Sequence, residues 1–332
     1  MRLIQYCEAE GVRRVGLVTE DGDHVRPLRD TMTVYELAND AVTQGAALAD
    51  LVQQRVGDER VDYAGLLRDG LVLAPLDHPE PARFLVTGTG LTHIGSADAR
   101  NKMHVATHGD GAPESDSMKI FQMGIAGGKP APGHIGAQPE WFFKGVGTCV
   151  VAPGAPLPLP AFALAGAEEP EIVGLYLIDK NHAPWRIGFS LGNEFSDHVT
   201  EAKNYLYTQH SKLRACSLGP ELLLGALPKD VRGMSRVIRD GKTIWEDEFL
   251  SGETNMSHSL ANLEHYHFRY DMFRRPGDLH AYFFGAAVMS YSVGVETRPG
   301  DEFEIQAPIF GKALRNRMEL SADEGLVAVN PL

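Results

Sequence analysis

Turn residues cut most of this chain into pieces too short for anything but strands. Pro-Gly or Asp-Gly pairs stand at 132–133, 153–154, 240–241, 276–277 and 299–300. Such pairs mark tight turns, because proline presets its own φ and glycine reaches φ values other residues avoid. The runs between them alternate: SRVIRDGKTIWED reads as a hairpin around Asp240-Gly241, and GDEFEIQAPIFG alternates as a strand does. Helical spacing is confined to TVYELANDAVTQGAALADLVQQRV, with Thr33 as its N-cap, and to SDHVTEAKNYLY and MSHSLANLEHYHFRYDMF. The pattern predicts an α+β chain dominated by β rather than an alternating βαβ protein. Residues 1–78 read as a small N-terminal β-rich unit with one helical stretch, in which Asp21-Gly22 turns a hairpin and LVLAPL closes the unit. The linker His78-Pro79-Glu80-Pro81 leads into a larger unit over residues 79–332.

Charge and composition narrow the function. The chain has 332 residues, with 31 basic and 44 acidic side chains and a formal net charge of −13. That balance argues against a nucleic-acid groove, which needs clustered Lys and Arg, and an anionic substrate would need a local cation. No apolar run reaches the roughly 18 to 20 residues of a membrane span. The N-terminus turns polar too soon for a signal peptide. Three scattered cysteines, Cys7, Cys149 and Cys216, contain no metal-type pair and suit a reducing compartment. A cytoplasmic protein with neither nucleic acid nor membrane as partner is expected.

GTGLTH at 88–93 offers Gly-x-Gly without the third glycine of a dinucleotide fingerprint, so it carries no cofactor assignment. GAEEPEIVGLYLID at 166–179 is more informative, because Glu168, Glu169 and Glu171 stand directly before an apolar strand. Side chains at i and i+2 on a strand share a face. Glu169 and Glu171 would therefore aim at one spot, where one must take a proton or a cation must sit between them. A solvated strand end with unrelated glutamates is the competing reading. Glu194 bears on the choice. A strand over 172–178, a turn through DKNHAPW and a return strand ending near Gly192 would bring Glu194 back beside the other two. Three carboxylates without His or Cys suit a hard cation, Mg²⁺ or Mn²⁺.

With these motifs the chain resembles the fumarylacetoacetate hydrolase superfamily. FFKGVGTCVVAPGAPLPLP, Glu169-Pro170-Glu171, GFSLGNEFSD, HSKLRACSLGP, Asp240-Gly241-Lys242 and the segments RRPGDLHAYFFG and ETRPGDEFEIQAPIFGKALRN match that family's motifs in order. The resemblance implies a mixed β-roll catalytic domain over 79–332, a divalent metal held by Glu169, Glu171 and Glu194, a 2-oxo acid substrate, and a homodimer or higher even homo-oligomer. Two departures sort the branches. The hydrolases carry N-Y-x-x-H, whereas here Thr92 and His93 stand on the Asn-Tyr positions and Ser96 on that of the histidine. The family's T-G-T-P is FGAA at 284–287. The His–Glu dyad for C–C hydrolysis is thus missing, and the chain is most similar to the branch that dehydrates 2-keto-3-deoxypentonates. In that branch a Glu before F-F-K and a Lys in the K-S-like segment face the substrate, which implies Glu140 and Lys212 as catalytic residues.

The implied reaction converts 2-keto-3-deoxy-D-pentonate to 2,5-dioxopentanoate through an enolate and loss of the C4 hydroxyl. Lys212 would remove the C3 proton and Glu140 would handle the proton at C4, or the two would exchange roles. A metal-dependent hydrolase of a 2,4-diketo-3-deoxy sugar acid and a non-catalytic sugar-acid module are the alternatives. Lys144 is a candidate for holding a substrate carboxylate, or is a strand-end lysine reaching to solvent. Thr92, His93 and Ser96 follow a glycine-rich turn and are candidates for substrate contact or structure. His265 and His267, at i and i+2, do not suit a zinc pair. Asp179 is expected to cap the turn after the apolar strand, and Cys216 to serve packing. The long Gly-rich stretch 104–134 reads as an irregular lid or interface arm.

Overall fold

The computed structural model describes residues 1–8, 11–95, 116–323 and 325–332. Two sheets carry the architecture. Ten strands of the larger sheet form a continuous path, and two short strands join it from the side. Its centre is the hairpin Pro170–Ile178 and Pro184–Asn193. Every residue of Pro170–Ile178 is buried, as expected of a strand covered on both faces, and its near-continuous apolar sequence follows from that. Leu279–Phe283 flanks it on one side and is followed by Phe84–Gly88 in parallel and then Phe142–Val146 at the edge. The smaller sheet has five strands in the order Lys242–Ser251, Val231–Arg239, Glu302–Gln306, Leu314–Leu320 and Leu157–Leu159. The Asp240-Gly241 hairpin forms where the sequence places it, with Arg239 paired to Lys242.

The mixed α+β, β-dominated architecture anticipated from the turn spacing is the one observed. Thr33 caps the helix Val34–Gln44, accepting from Glu36 N, while the Glu36 side chain accepts from Thr33 N, a complete capping box. The N-terminal unit has its own small core of Ile4, Tyr6, Val18, Val25, Tyr63, Leu66 and Val72. It is also stitched into the large sheet. Arg2–Cys7 pairs with Leu222–Leu223, which in turn pairs with the long hairpin through Phe189. Leu3, Val15, Val34 and Leu37 belong to the same apolar cluster as Val173, Leu175 and Leu218.

The stretch 104–134 differs from its sequence reading where it is described. Asp116–Gly127 is a 12-residue helix, not an irregular arm. Its Phe121 packs on Leu91, and Gly124 lies against His258. Glycines at 124 and 127 hide this helix from a propensity argument, yet close packing on that face calls for a residue without a Cβ at 124. Residues 104–115 lie outside the described residues.

The tip of the central hairpin is pinned by Asp179, as its position after the apolar strand suggests. Its carboxylate accepts from Asn181 N and Ala183 N, each at 2.8 Å, and from Trp185 Nε1 at 2.9 Å. These bonds hold the carboxyl below the ordinary aspartate range against the opposing effect of burial. Asp179→Ala should cost roughly 1–3 kcal/mol, since it strips the acceptor from three donors. An unchanged urea unfolding midpoint would contradict this account of the turn.

Candidate active site

The open end of the central hairpin gathers the acidic residues. Strand pairing sets Gly192 opposite Glu171 and Asn193 opposite Pro170. Beyond the regular pairing Glu194 N donates to Glu169 O at 3.0 Å, and Ala167 and Ser196 exchange backbone bonds. The register therefore places Glu194 across from Glu169, as a hairpin returning near Gly192 requires. One carboxylate oxygen from each of Glu169, Glu171 and Glu194 lies within 4.8 Å of the others. All three are buried, Glu194 completely and Glu171 to 1% exposure, so the solvated strand-end reading is overturned. Glu168 points elsewhere: it accepts from Ser290 N at 2.7 Å and Ser290 Oγ at 2.8 Å, and takes no part in the trio.

Three buried like charges in contact need compensation. Two lysines supply it. Lys212, at the end of the helix Thr208–Lys212, directs Nζ onto Glu169 Oε1, onto Glu194 Oε2 at 2.6 Å and onto Ser196 Oγ at 3.1 Å. Lys144 Nζ lies 2.5 Å from Glu194 Oε1 and donates to Phe195 O and Lys212 O at 2.7 and 3.0 Å. Lys144 is 1% exposed and does not reach to solvent. The carboxylate it holds in this structure is that of Glu194. Burial opposes charge on Lys212, but Glu169 and Glu194 outweigh it and hold the ammonium well above its ordinary pKa. Burial likewise opposes charge on Glu169, yet Lys212 and His198 outweigh it, so its carboxyl stays below the usual range.

Glu171 receives less help. One oxygen accepts from Gly285 N at 2.7 Å, and Oε1 is buried with no hydrogen-bond partner among the described residues. Burial first, then the charges of Glu169 and Glu194, push its carboxyl well above the ordinary range. An orphaned buried carboxylate oxygen aimed at two other carboxylates is what an all-oxygen cation site provides before loading. The donor set fits a hard divalent ion.

The segment that supports Glu171 explains FGAA. Gly285 has φ +98°, and a Cβ there would strike Thr92 Oγ1. Thr92 Oγ1 donates to Phe284 O, and His93 bridges Thr92 Oγ1 at 3.1 Å and Ser251 Oγ at 2.8 Å. Both residues are fully enclosed, and burial lowers His93 to about 3, so it is a neutral strut. Thr92 and His93 thus stand behind the turn that holds Glu171, and neither lines the cavity. Ser96 lies outside the described residues.

A small cavity opens in front of the trio. Glu140, Phe142, Glu169 and Lys212 line it, with Gly90, Leu91, Ala286 and Met289 closing its walls. Glu140 and Phe142 reach it from one side of the extended segment leading into Phe142–Val146. Trp141 turns the opposite way, into a separate apolar groove. Thr89 Oγ1 fixes this segment by donating to Glu140 O at 2.7 Å. GTGLTH finds its use here, because Glu140 Oε2 lies so close to Gly90 that a Cβ there would displace the Glu140 carboxylate. The structure brings Glu140, Glu169, Glu171, Glu194, Lys144 and Lys212 into one locus.

Two cavity residues went unnoticed in the sequence, His198 and Glu201. They sit one turn apart on the helix His198–Lys203, directly after the Glu194 segment. Their i, i+3 spacing was a signal, but the motif reading stopped at Glu194. His265 and His267 do not converge: His265 is exposed, and His267 is buried with its Nε2 3.0 Å from His280 Nδ1.

Comparison with known proteins sets the fold. Two structures of 2-keto-3-deoxyarabinonate dehydratase superpose over 97% of this chain. One is a hexagonal crystal form (TM-score 0.72, 18% identity, 100% of that chain), the other a complex with magnesium and 2,5-dioxopentanoate (TM-score 0.69, 18% identity, 99% of that chain). A 5-carboxymethyl-2-hydroxymuconate delta-isomerase from Mycobacterium smegmatis matches at TM-score 0.58 and 17% identity, over 97% of this chain and 100% of that one. In sequence, 118 residues, 33% of this chain, are 32% identical to a probable 2-keto-3-deoxyxylonate dehydratase of Haloferax volcanii. That match spans 38% of the relative's length. No protein-family model matches the chain. The fold is of the fumarylacetoacetate hydrolase type, as the motifs led one to expect. Among the described residues no helix is long and apolar enough to cross a membrane.

Removing one charge from the trio separates stability from metal binding. Glu171→Gln relieves like-charge repulsion, so the metal-free variant should be no less stable than the wild type. A hundredfold excess of Mn²⁺ over its Kd should stabilise the wild type by about 2.7 kcal/mol and leave the variant's melting temperature unmoved. Equal Mn²⁺ shifts in both proteins would remove Glu171 from the cation site.

Proposed function

We propose that this protein is a Mg²⁺-dependent hydro-lyase that converts 2-keto-3-deoxy-D-pentonate to 2,5-dioxopentanoate. One observation carries the reading: Glu169, a member of a buried carboxylate trio fit for a hard cation, lines a cavity together with Lys212 and Glu140. The fold common to the chain and 2-keto-3-deoxyarabinonate dehydratase supports it, as does the partial sequence match to a probable 2-keto-3-deoxyxylonate dehydratase.

Glu169, Glu171 and Glu194 would hold Mg²⁺, or Mn²⁺ in its place. When bound, the cation supplies a Lewis acid to the C1 carboxylate and C2 carbonyl of a 2-oxo acid, which makes the C3 proton acidic. The chain's residues do the rest. Lys212 is held protonated by two carboxylates in the metal-free protein. With a cation also drawing on those carboxylates their hold on its proton would be weaker, and Lys212, once neutral, would take a proton from C3. Glu140 lines the same cavity as Lys212 and delivers a proton to the departing C4 hydroxyl. The C3–H and C4–O bonds break, a C3–C4 double bond forms and water leaves. Two tautomeric shifts then pass that double bond to C4–C5 and release the C5 aldehyde. Lys144 neutralises Glu194 and keeps it oriented.

A hydrolase of a 2,4-diketo-3-deoxy sugar acid is disfavoured. The histidine expected of that branch is replaced by Ser96, and His93 is turned into a buried strut. An even homo-oligomer acting in the cytoplasm completes the proposal; three free cysteines suit that compartment.

Incubation with 2-keto-3-deoxy-D-pentonate and Mg²⁺ should release an aldehyde, and EDTA should stop the reaction until Mg²⁺ is restored. Cleavage products from a 2,4-diketo acid, or activity undiminished by chelator, would reject the proposal. Lys212→Ala and Glu140→Gln should each lower kcat by a factor of about 10² to 10⁴ and retain Mn²⁺ binding. Near-normal turnover in either variant would withdraw that residue's role.

A further inference from the structure

We propose that His198 and Glu201 form a hydroxyl-recognising subsite that commits this cavity to a polyhydroxylated 2-oxo acid. This rests on the dehydratase reading and deepens it. His198 is 2% exposed, and among the described residues neither of its ring nitrogens has a hydrogen-bond partner. Nε2 lies 3.6 Å from Glu169 Oε1 and Nδ1 lies 3.5 Å from Glu201 Oε2, close enough to feel both charges but too far for good hydrogen bonds. A buried imidazole left in this condition costs free energy unless a ligand completes it. The ring is also fixed in place. It stacks on Tyr291 at 5.1 Å between centroids, and its helix is capped by Asp197, which accepts from Thr200 N at 3.0 Å.

The chemistry of the missing partner follows from the neighbours. His198 does not belong to the group of ligand atoms within 4.8 Å of one another, so it is not a fourth member of the trio. An anionic ligand group between His198 and Glu201 would meet the Glu201 carboxylate. A hydroxyl meets both needs, accepting from the imidazole N–H and donating to the carboxylate. With the C1 and C2 oxygens assigned to the cation and the C4 oxygen to Glu140, the C5 hydroxyl is the group left to fill this place. The arrangement discriminates sharply, because a site built to bond a hydroxyl leaves its own buried polar groups unpaired when the hydroxyl is absent.

Two substrates separate this subsite from the reaction itself. The first, 2-keto-3-deoxy-D-pentonate, carries hydroxyls at C4 and C5. The second, 4-hydroxy-2-oxopentanoate, keeps the leaving group and lacks the C5 hydroxyl. Wild-type protein should prefer the first in kcat/KM by about 10²-fold or more. His198→Phe should erase most of that preference by losing activity chiefly on the dihydroxy acid, and His198→Gln, which restores a donor, should recover part of it. Mn²⁺ affinity, measured in parallel, should be the same in all three proteins. An unchanged substrate ratio in His198→Phe, or an equal loss on both acids, overturns the subsite while leaving the dehydratase reading intact. A wild-type protein inert towards both acids overturns the dehydratase reading and the subsite with it.

Discussion

Charge compensation in a buried site is the constraint around which this molecule is organised. Glu169, Glu171 and Glu194 are buried together at the end of a hairpin. Without a cation they are balanced by Lys212 and Lys144, and the balance is uneven. Glu194 is gripped from both sides and Glu169 by Lys212, while among the described residues Glu171 has one backbone N–H. The centre therefore carries a built-in deficit on one residue. A further positive charge beyond the two lysines is needed to satisfy it, and a divalent ion brings that charge without a hydrogen-bond geometry of its own.

Rigid neighbours make such a concentration of charge tolerable. The trio hangs from the fully buried strand Pro170–Ile178 and its return partner. The turn at 284–285 that supports Glu171 is itself held by Thr92, and His93 braces Thr92 against Ser251. Lys212 comes from a short helix and Lys144 from the edge strand Phe142–Val146. Separate stretches of chain thus fix the electrostatics together.

The parts of this arrangement legible in the sequence were those set by local chemistry. Alternation and the Asp-Gly turn gave the hairpins, Thr33 the start of the helix it caps, and the i, i+2 spacing of Glu169 and Glu171 their common aim. Hairpin return located Glu194. Long-range packing was not legible. Lys144 looks from sequence like a strand-end lysine; only the fold shows that Glu194 waits for it. Thr92 and His93 look like a loop facing a ligand, yet their bonds run inward to Phe284 and Ser251. The helix Asp116–Gly127 is masked by glycines that serve its packing. His198 and Glu201 have proper helical spacing, but nothing local says that this helix borders a cavity.

That helix at Asp116–Gly127 has a bearing on how the cavity is reached. Phe121 presses on Leu91, and Leu91 is one wall of the space before the carboxylates. A single side chain therefore separates a surface element from the chemistry. A change of volume at Phe121 would be felt at that wall, with the charged centre behind it left as it is.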